Sequence, residues 1–243
     1  IGTEAEQGIP FWIWRVLPDL FPEHLPGPGG LAALGMIQEP GRELPVGFSK
    51  KTIGFERVGI NCALCHTSTL RESADAPQQL YVGGAVTTFD PLAYQHFLFA
   101  AAGDPRFNAD DILAAIARVH DLSLLDRLLY RFVLIPATRK ALLEQREGYA
   151  WTYSRPHWGR GRIDPFNPVK AITLGVDVGD TLGNSDMQPI WNLRPRVEGD
   201  MALHWDGLNT DLREVVLSSA IGDGTAPEVL PVAQLVALEA WLM

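Results

Sequence analysis

The side chains of this chain best placed to act together are Cys62, Cys65 and His66, in the run Cys62-Ala63-Leu64-Cys65-His66. Thiols and imidazoles ligate soft and borderline metals, so the spacing must be matched to a metal or cofactor. C-x-x-C-H is the covalent attachment pattern of a c-type haem. Two thiols three positions apart stand on neighbouring turns of a helix and can add to the two vinyl groups of one porphyrin. The adjoining His66 then presents its imidazole to the iron as proximal ligand. Three other uses compete. A zinc site needs two more ligands, and the sequence has neither a second cysteine pair nor two histidines spaced three to five residues apart. A thioredoxin-type pair follows a strand in a βαβ setting, and no such pattern surrounds Cys62. A buried pair of unmodified cysteines has no need of the histidine. Two cysteines are also too few for a disulfide framework.

The rest of the composition agrees with a haem protein. The 243 residues include 7 Trp, 10 Phe and 5 Tyr, enough aromatic surface to wrap an apolar macrocycle. Hydrophobic residues are 47% of the chain and charged residues 20%, the balance of a folded globular protein rather than a disordered one. The net charge of −9 argues against nucleic acid, which calls for a basic patch, and suits a basic redox partner. No apolar run approaches the roughly 20 residues of a membrane-spanning helix. The segment after Ile1 has no charged n-region followed by an apolar stretch. Covalent haem attachment takes place outside the cytoplasm, so the expected location is the periplasm or the outer face of the cytoplasmic membrane.

The elements that must position the motif read as mainly α, with long ordered loops. Residues 1–243 are expected to form one domain. Residues 1–60 are an aromatic, Pro- and Gly-rich wrapping segment carrying Phe11, Trp12, Trp14, Phe21, Phe48 and Phe55, and residues 61–66 hold the motif. Residues 90–150 are a helical insertion. Asp90 and Pro91 start one helix, and Asn108 caps a second with Ile112 and Ile116 on one face. A third starts near Leu122 with Leu125, Leu128, Leu129 and Phe132 inward and a break at Pro136. Thr138 to Gly148 continues as a polar-faced helix. Residues 185–243 supply a closing loop and C-terminal helices, one after the Asn209-Thr210-Asp211 cap and one from Pro231 to Met243. Strand signals are few; Tyr81-Val82 and Ala171 to Val178 are the best.

Gln188-Pro189-Ile190-Trp191-Asn192, then His204-Trp205-Asp206-Gly207, then Leu212-Arg213-Glu214-Val215-Val216 resemble three consecutive motifs of the bacterial dihaem cytochrome c peroxidase superfamily. Within it, the aromatic N-terminal segment and Ile60-Asn61-Cys62 through Thr67 resemble the branch that includes rubber oxygenase. The resemblance implies a cytochrome c-type domain, a redox partner protein or adjoining haem domain, and a second haem domain following Met243. It also implies that Trp191 and Trp205 flank the cofactor. Here both depart from the family, which carries Arg and His at these places, while His204 takes the family's aromatic position. An indole N–H can still donate to a haem propionate, but proton-transfer roles tied to the missing His do not carry over.

The sixth iron ligand stays open in the sequence. His204, Met187, Met201 and Met36 are the candidates, and an open position is the other possibility. A closed six-coordinate iron transfers electrons, whereas an open one binds O2 or peroxide. Electron transfer is the expected function, with a haem oxygenase or peroxidase domain as the alternative. His96 and His120 fall in helical patterns and His24 and His157 in Pro-rich loops, where packing or solvent is their default role. Asp177, Asp180, Asn184 and Asp186 make calcium a weaker candidate, since their spacing suits turns and caps better than an EF-hand. Arg155, Arg160, Arg162, Arg194 and Arg196 are candidate partners for haem propionates.

Overall fold

The computed structural model describes residues 2–204, 207–222, 224–225 and 227–243. In chain order these form β1 (Ile9–Pro10), α1 (Phe11–Leu20), β2 (Phe48–Ile53), β3 (Phe55–Ile60), β4 (Thr67–Leu70), β5 (Gln79–Val82), α2 (Pro91–Gly103), α3 (Ala109–Ile116), α4 (Leu124–Leu129), α5 (Ile135–Gly148), β6 (Arg162–Ile163), β7 (Ser185–Asp186), α6 (Arg194–Glu198), α7 (Leu212–Gly222) and α8 (Val232–Leu242). The chain is mainly α, with short strands. It parts into two compact units, each assembled from discontinuous segments. Unit 1 is Ile1–Gly8, Gln38–Thr87 and Met187–Met243; unit 2 is Ile9–Ile37 and Thr88–Asp186.

Unit 2 is the helical one. The expected capping is in place. Asp90 accepts from the Ala93 amide with Pro91 in the first turn of α2, and Asn108 accepts from the Asp110 and Asp111 amides at the head of α3. The N-terminal aromatic residues do not wrap as a loop. They form α1, where Phe11, Trp14 and Leu17 recur at helical spacing and are buried despite Pro18 within the helix. Trp14 Nε1 donates to the Tyr94 hydroxyl at 2.9 Å, and Phe21 stacks on Phe107 with ring centroids 6.2 Å apart. With Phe97, Phe99, Ile112, Ile116 and Ile135 these make an aromatic-rich core.

Two expectations for unit 2 are corrected. Pro136 does not break the chain into two helices. Residues Tyr130–Leu134 adopt a π turn, in which the Ile135 amide bonds the Tyr130 carbonyl five residues back. That wider register makes room for a proline ring that would otherwise press on the carbonyl four residues before it. Tyr130 and Leu134 are buried, while Leu125, Leu128 and Phe132 are exposed. Residues Ala171 to Val178 form no strand. Val169–Thr173 is again a π turn, and Pro168 precedes it.

Unit 1 carries the motif and is built on hairpins. Strands β2 and β3 pair antiparallel from Phe48↔Ile60 to Ile53↔Phe55, and β4 pairs with β5 from Thr67↔Val82 to Leu70↔Gln79. The β2–β3 hairpin lies inside the stretch taken from sequence as a wrapping segment. Charged Lys50 and Lys51 on successive residues, pairing with Glu56 and Glu4, hid the alternation. Thr3 pins the end of β3, its amide donating to the Ile60 carbonyl at 3.0 Å and its hydroxyl accepting from the Ile60 amide at 3.1 Å. On the other side of the unit, α7 and α8 bury Leu212, Val216, Ala220, Leu235 and Leu242 with Leu203. Asp211 caps α7 as expected, accepting from the Arg213 and Glu214 amides.

Candidate functional site

The motif occupies the connection between the two hairpins of unit 1. Cys62–Leu64 is a single 3₁₀ turn rather than successive turns of an α-helix. Asn61 caps it, its side-chain oxygen accepting from the Ala63 amide at 3.0 Å. The Asn61 amide donates to the Gly47 carbonyl at 2.8 Å, which ties the turn to the start of β2. Gly47 has φ +86°, and a Cβ there would stand 2.2 Å from Leu64 Cα. Only glycine lets the turn settle onto this strand. Leu64 is thereby buried, whereas Cys62, Cys65 and His66 remain half-buried.

His66 is held from one side. Its Nδ1 lies 2.9 Å from the Gln188 carbonyl oxygen. A carbonyl can only accept, so Nδ1 carries the proton and Nε2 keeps its lone pair. Burial of the ring pushes the His66 pKa below the usual imidazole value, against the opposing pull of the Gln188 carbonyl. The ring is therefore neutral at neutral pH, with its basic nitrogen directed away from the Gln188 loop. That loop is itself fastened. The Gly83 amide donates to the His66 carbonyl at 2.6 Å, and the Ile190 amide donates to the Gly83 carbonyl at 2.8 Å. The Leu193 amide donates to the Leu242 carbonyl at 2.7 Å, which joins the loop to the end of α8. Sequence reasoning missed Gln188 and Gly83 as parts of this site. A backbone carbonyl has no residue-type signal, and Gly83-Gly84 after a strand reads as an ordinary turn.

The residue types brought together fit a c-type haem. Two thiols flank one short turn, and a neutral imidazole offers Nε2 with its other nitrogen committed to a carbonyl, the usual arrangement of a metal-binding histidine. Trp191 is half exposed in the same unit, its Cβ 3.4 Å from where a Cβ on Gly83 would stand. Trp205 and Asp206 lie outside the described residues. His204 sits at the surface with φ +66°, its Nε2 3.2 Å from the Ser219 hydroxyl. Met187 is buried and precedes Gln188 in the chain. Met201 is exposed in unit 1, and Met36 is buried in unit 2.

The weaker candidates mostly have local duties. Asp177 closes its own turn by accepting from the Gly179 amide, and Asp186 pairs with Arg162 at 2.8 Å. Among the described residues the only His, Cys, Asp or Glu group close enough to share a metal ion is Glu23, His24 and Asp104, so the acidic residues of the 177–186 loop are not gathered for calcium. Arg106 already pairs with both carboxylates of that group. His120 stacks on Trp12, the packing role expected of it, whereas His24, expected in solvent, pairs with Asp104 in a part-buried contact. Arg155 and Arg160 donate to backbone carbonyls of unit 2. Of the five arginines, Arg194 and Arg196 belong to the unit that carries the motif. Among the described residues no helix is long and apolar enough to cross a membrane. Compared with known protein families, curated proteins and solved structures, the chain matches none.

Proposed function

We propose that this chain is a c-type cytochrome domain of the periplasm, or of the outer face of the cytoplasmic membrane, that holds one covalent haem and passes single electrons to a redox partner protein or an adjoining haem domain. The observation that carries the proposal is the state of His66. It stands directly after two cysteines in C-x-x-C-H spacing, neutral, with Nδ1–H bonded to the Gln188 carbonyl and Nε2 left as the ligating nitrogen. When bound, the haem supplies an iron that cycles between Fe(III) and Fe(II). The protein's part is to hold and tune it. Cys62 and Cys65 would each hold the haem through a thioether, and His66 would ligate its iron through Nε2, with the Gln188 carbonyl fixing the ring's orientation and raising its basicity. Arg194 and Arg196 on α6, and the indole N–H of Trp191, are candidate donors to propionates within unit 1. The acidic net charge favours a basic partner by long-range attraction.

One observation favours a second reading, in which the sixth position is open and the domain performs oxygenase or peroxidase chemistry. The candidate sixth ligands of unit 1 differ in setting: Met187 is buried, Met201 is exposed and His204 lies at the surface beside the Ser219 hydroxyl. Exposure of the reduced protein to CO separates the two. An unchanged spectrum supports the electron carrier, and ready CO binding supports the open site. The haem assignment itself is tested by Cys62→Ser and Cys65→Ser, each of which should leave one thioether and shift the pyridine haemochrome band. His66→Ala should abolish the low-spin spectrum; an unaltered spectrum would refute its role.

A further inference from the structure

We infer that Gly83 and Trp241 are positioning residues for the proximal histidine, so that the C-terminal helix tunes the iron through the His66 Nδ1 bond; this rests on the haem reading above. The chain of contacts lies entirely within unit 1. Gly83 occupies a left-handed conformation, φ +77°, just after β5. Its amide bonds the His66 carbonyl and its carbonyl bonds the Ile190 amide, so one residue grips both the histidine and the loop that supplies Gln188. The Trp241 ring lies directly over Gly83. A Cβ there would stand 2.7 Å from Trp241 Cη2 and 3.2 Å from Cζ3. The next residue, Leu242, accepts from the Leu193 amide and closes the far end of the same loop. The loop accepting the Nδ1 proton is thus held at Gly83 by a ring from α8 and at Leu193 by the backbone of α8.

Trp241 is half exposed, although an indole of its size has strong reason to be buried. Its ring covers a glycine instead of filling the apolar cluster beneath α8, and this position is what the loop needs. A firm Nδ1–H···O=C bond makes the imidazole a stronger donor and favours Fe(III); a loosened bond favours Fe(II). Removing the ring should therefore raise the midpoint potential without removing the haem.

The test is potentiometry on the full holoprotein, with pyridine haemochrome analysis of the same samples. Trp241→Ala is expected to shift the Fe(III)/Fe(II) balance about tenfold toward Fe(II), an upward shift of about 59 mV for one electron. Trp241→Phe, which keeps a ring over Gly83, should stay near the wild-type value. Gly83→Ala should shift the potential in the same direction as Trp241→Ala. Val236→Ala, exposed on the same helix, controls for general loosening of α8 and should not shift it. A Trp241→Ala protein with intact bis-thioether haem and a wild-type potential overturns the inference, as does a Val236→Ala shift of equal size. If the wild-type chain carries no haem, the cytochrome reading fails instead. The linkage is then read from the His66 ring nitrogens by 15N NMR. Trp241→Ala should release the Nδ1–H tautomer toward a mixture, and an undisturbed tautomer overturns the inference.

Discussion

The two units solve the folding problem with different materials. Unit 2 fills its centre with Phe11, Phe21, Phe97, Phe99 and Phe107, all essentially inaccessible, and stacks helices over them. Unit 1 has hairpins, loops and a compact aliphatic cluster of Leu203, Leu212, Val216, Ala220, Leu235 and Leu242, with no aromatic residue in it. Two of its tryptophans, Trp191 and Trp241, are left half exposed. Buried aromatic side chains dominate core energetics, so unit 2 is self-sufficient in a way unit 1 is not. The C-x-x-C-H motif sits in the poorer unit. On the proposed reading, a covalently held macrocycle with an iron–histidine bond would stabilise the folded state that binds it where the protein's own core is thinnest.

Breaking that contrast at its root should have the largest effect. A Cys62→Ala/Cys65→Ala chain, unable to retain haem covalently, is expected to lose protection from limited proteolysis in residues 38–87 and 187–243 while unit 2 stays resistant. Simultaneous loss of both units would erase the distinction. The converse lesion is Phe107→Ala, which opens a cavity beside Phe21 and should cost about 3–5 kcal/mol. Urea unfolding followed by tyrosine and tryptophan fluorescence should register that loss, with the haem absorption band of the folded protein unaltered. A smaller effect belongs to the motif's own turn. Asn61→Ala removes the cap at Ala63 and should lower the stability of unit 1 by about 1 kcal/mol, seen as an earlier urea midpoint for the haem band only.

The smallest effect is one of pH, and it sits in unit 2. Burial pushes the His96 pKa below its ordinary value, the neighbouring His157 adds to the shift and Asp90 opposes it. His96 Nε2 lies 2.9 Å from the Thr152 hydroxyl and its ring stacks on Tyr153. The unfolded chain takes up a proton at about pH 6.5, the folded chain only at lower pH. Unit 2 should therefore hold its stability above the ordinary value, lose some as the pH falls through it, and level off below the folded pKa. Thermal melts between pH 7.5 and 5.5 should show this slope, and His96→Gln should flatten it. A rise in stability on acidification would contradict the assignment.

Legibility from sequence divided along the same line. The capped helices α2 and α3 of unit 2, and α7 of unit 1, could be read because Asp90, Asn108 and Asp211 are local signals acting on their own neighbouring amides. The faces of the 124–134 segment could not, since Leu125, Leu128 and Phe132 share helical spacing yet are exposed, and Tyr130 and Leu134 are buried instead. Pro- and Gly-dense residues 8–60 concealed both α1 and the β2–β3 hairpin. Of the site, the motif was legible at once because its chemistry resides in residue types. Its setting was not. The Gln188 carbonyl lies 122 residues from His66, and the Gly83 contacts are backbone hydrogen bonds, whose partners residue type does not reveal.

The central claim is that the pair of cysteines and the histidine hold one haem covalently. Intact mass measurement of the denatured chain, produced in a host that attaches haem to C-x-x-C-H sites, tests it directly. The account predicts a mass equal to the polypeptide plus one haem, lost on Cys62→Ala/Cys65→Ala. The mass of the bare polypeptide from cells that mature other c-type cytochromes would contradict it.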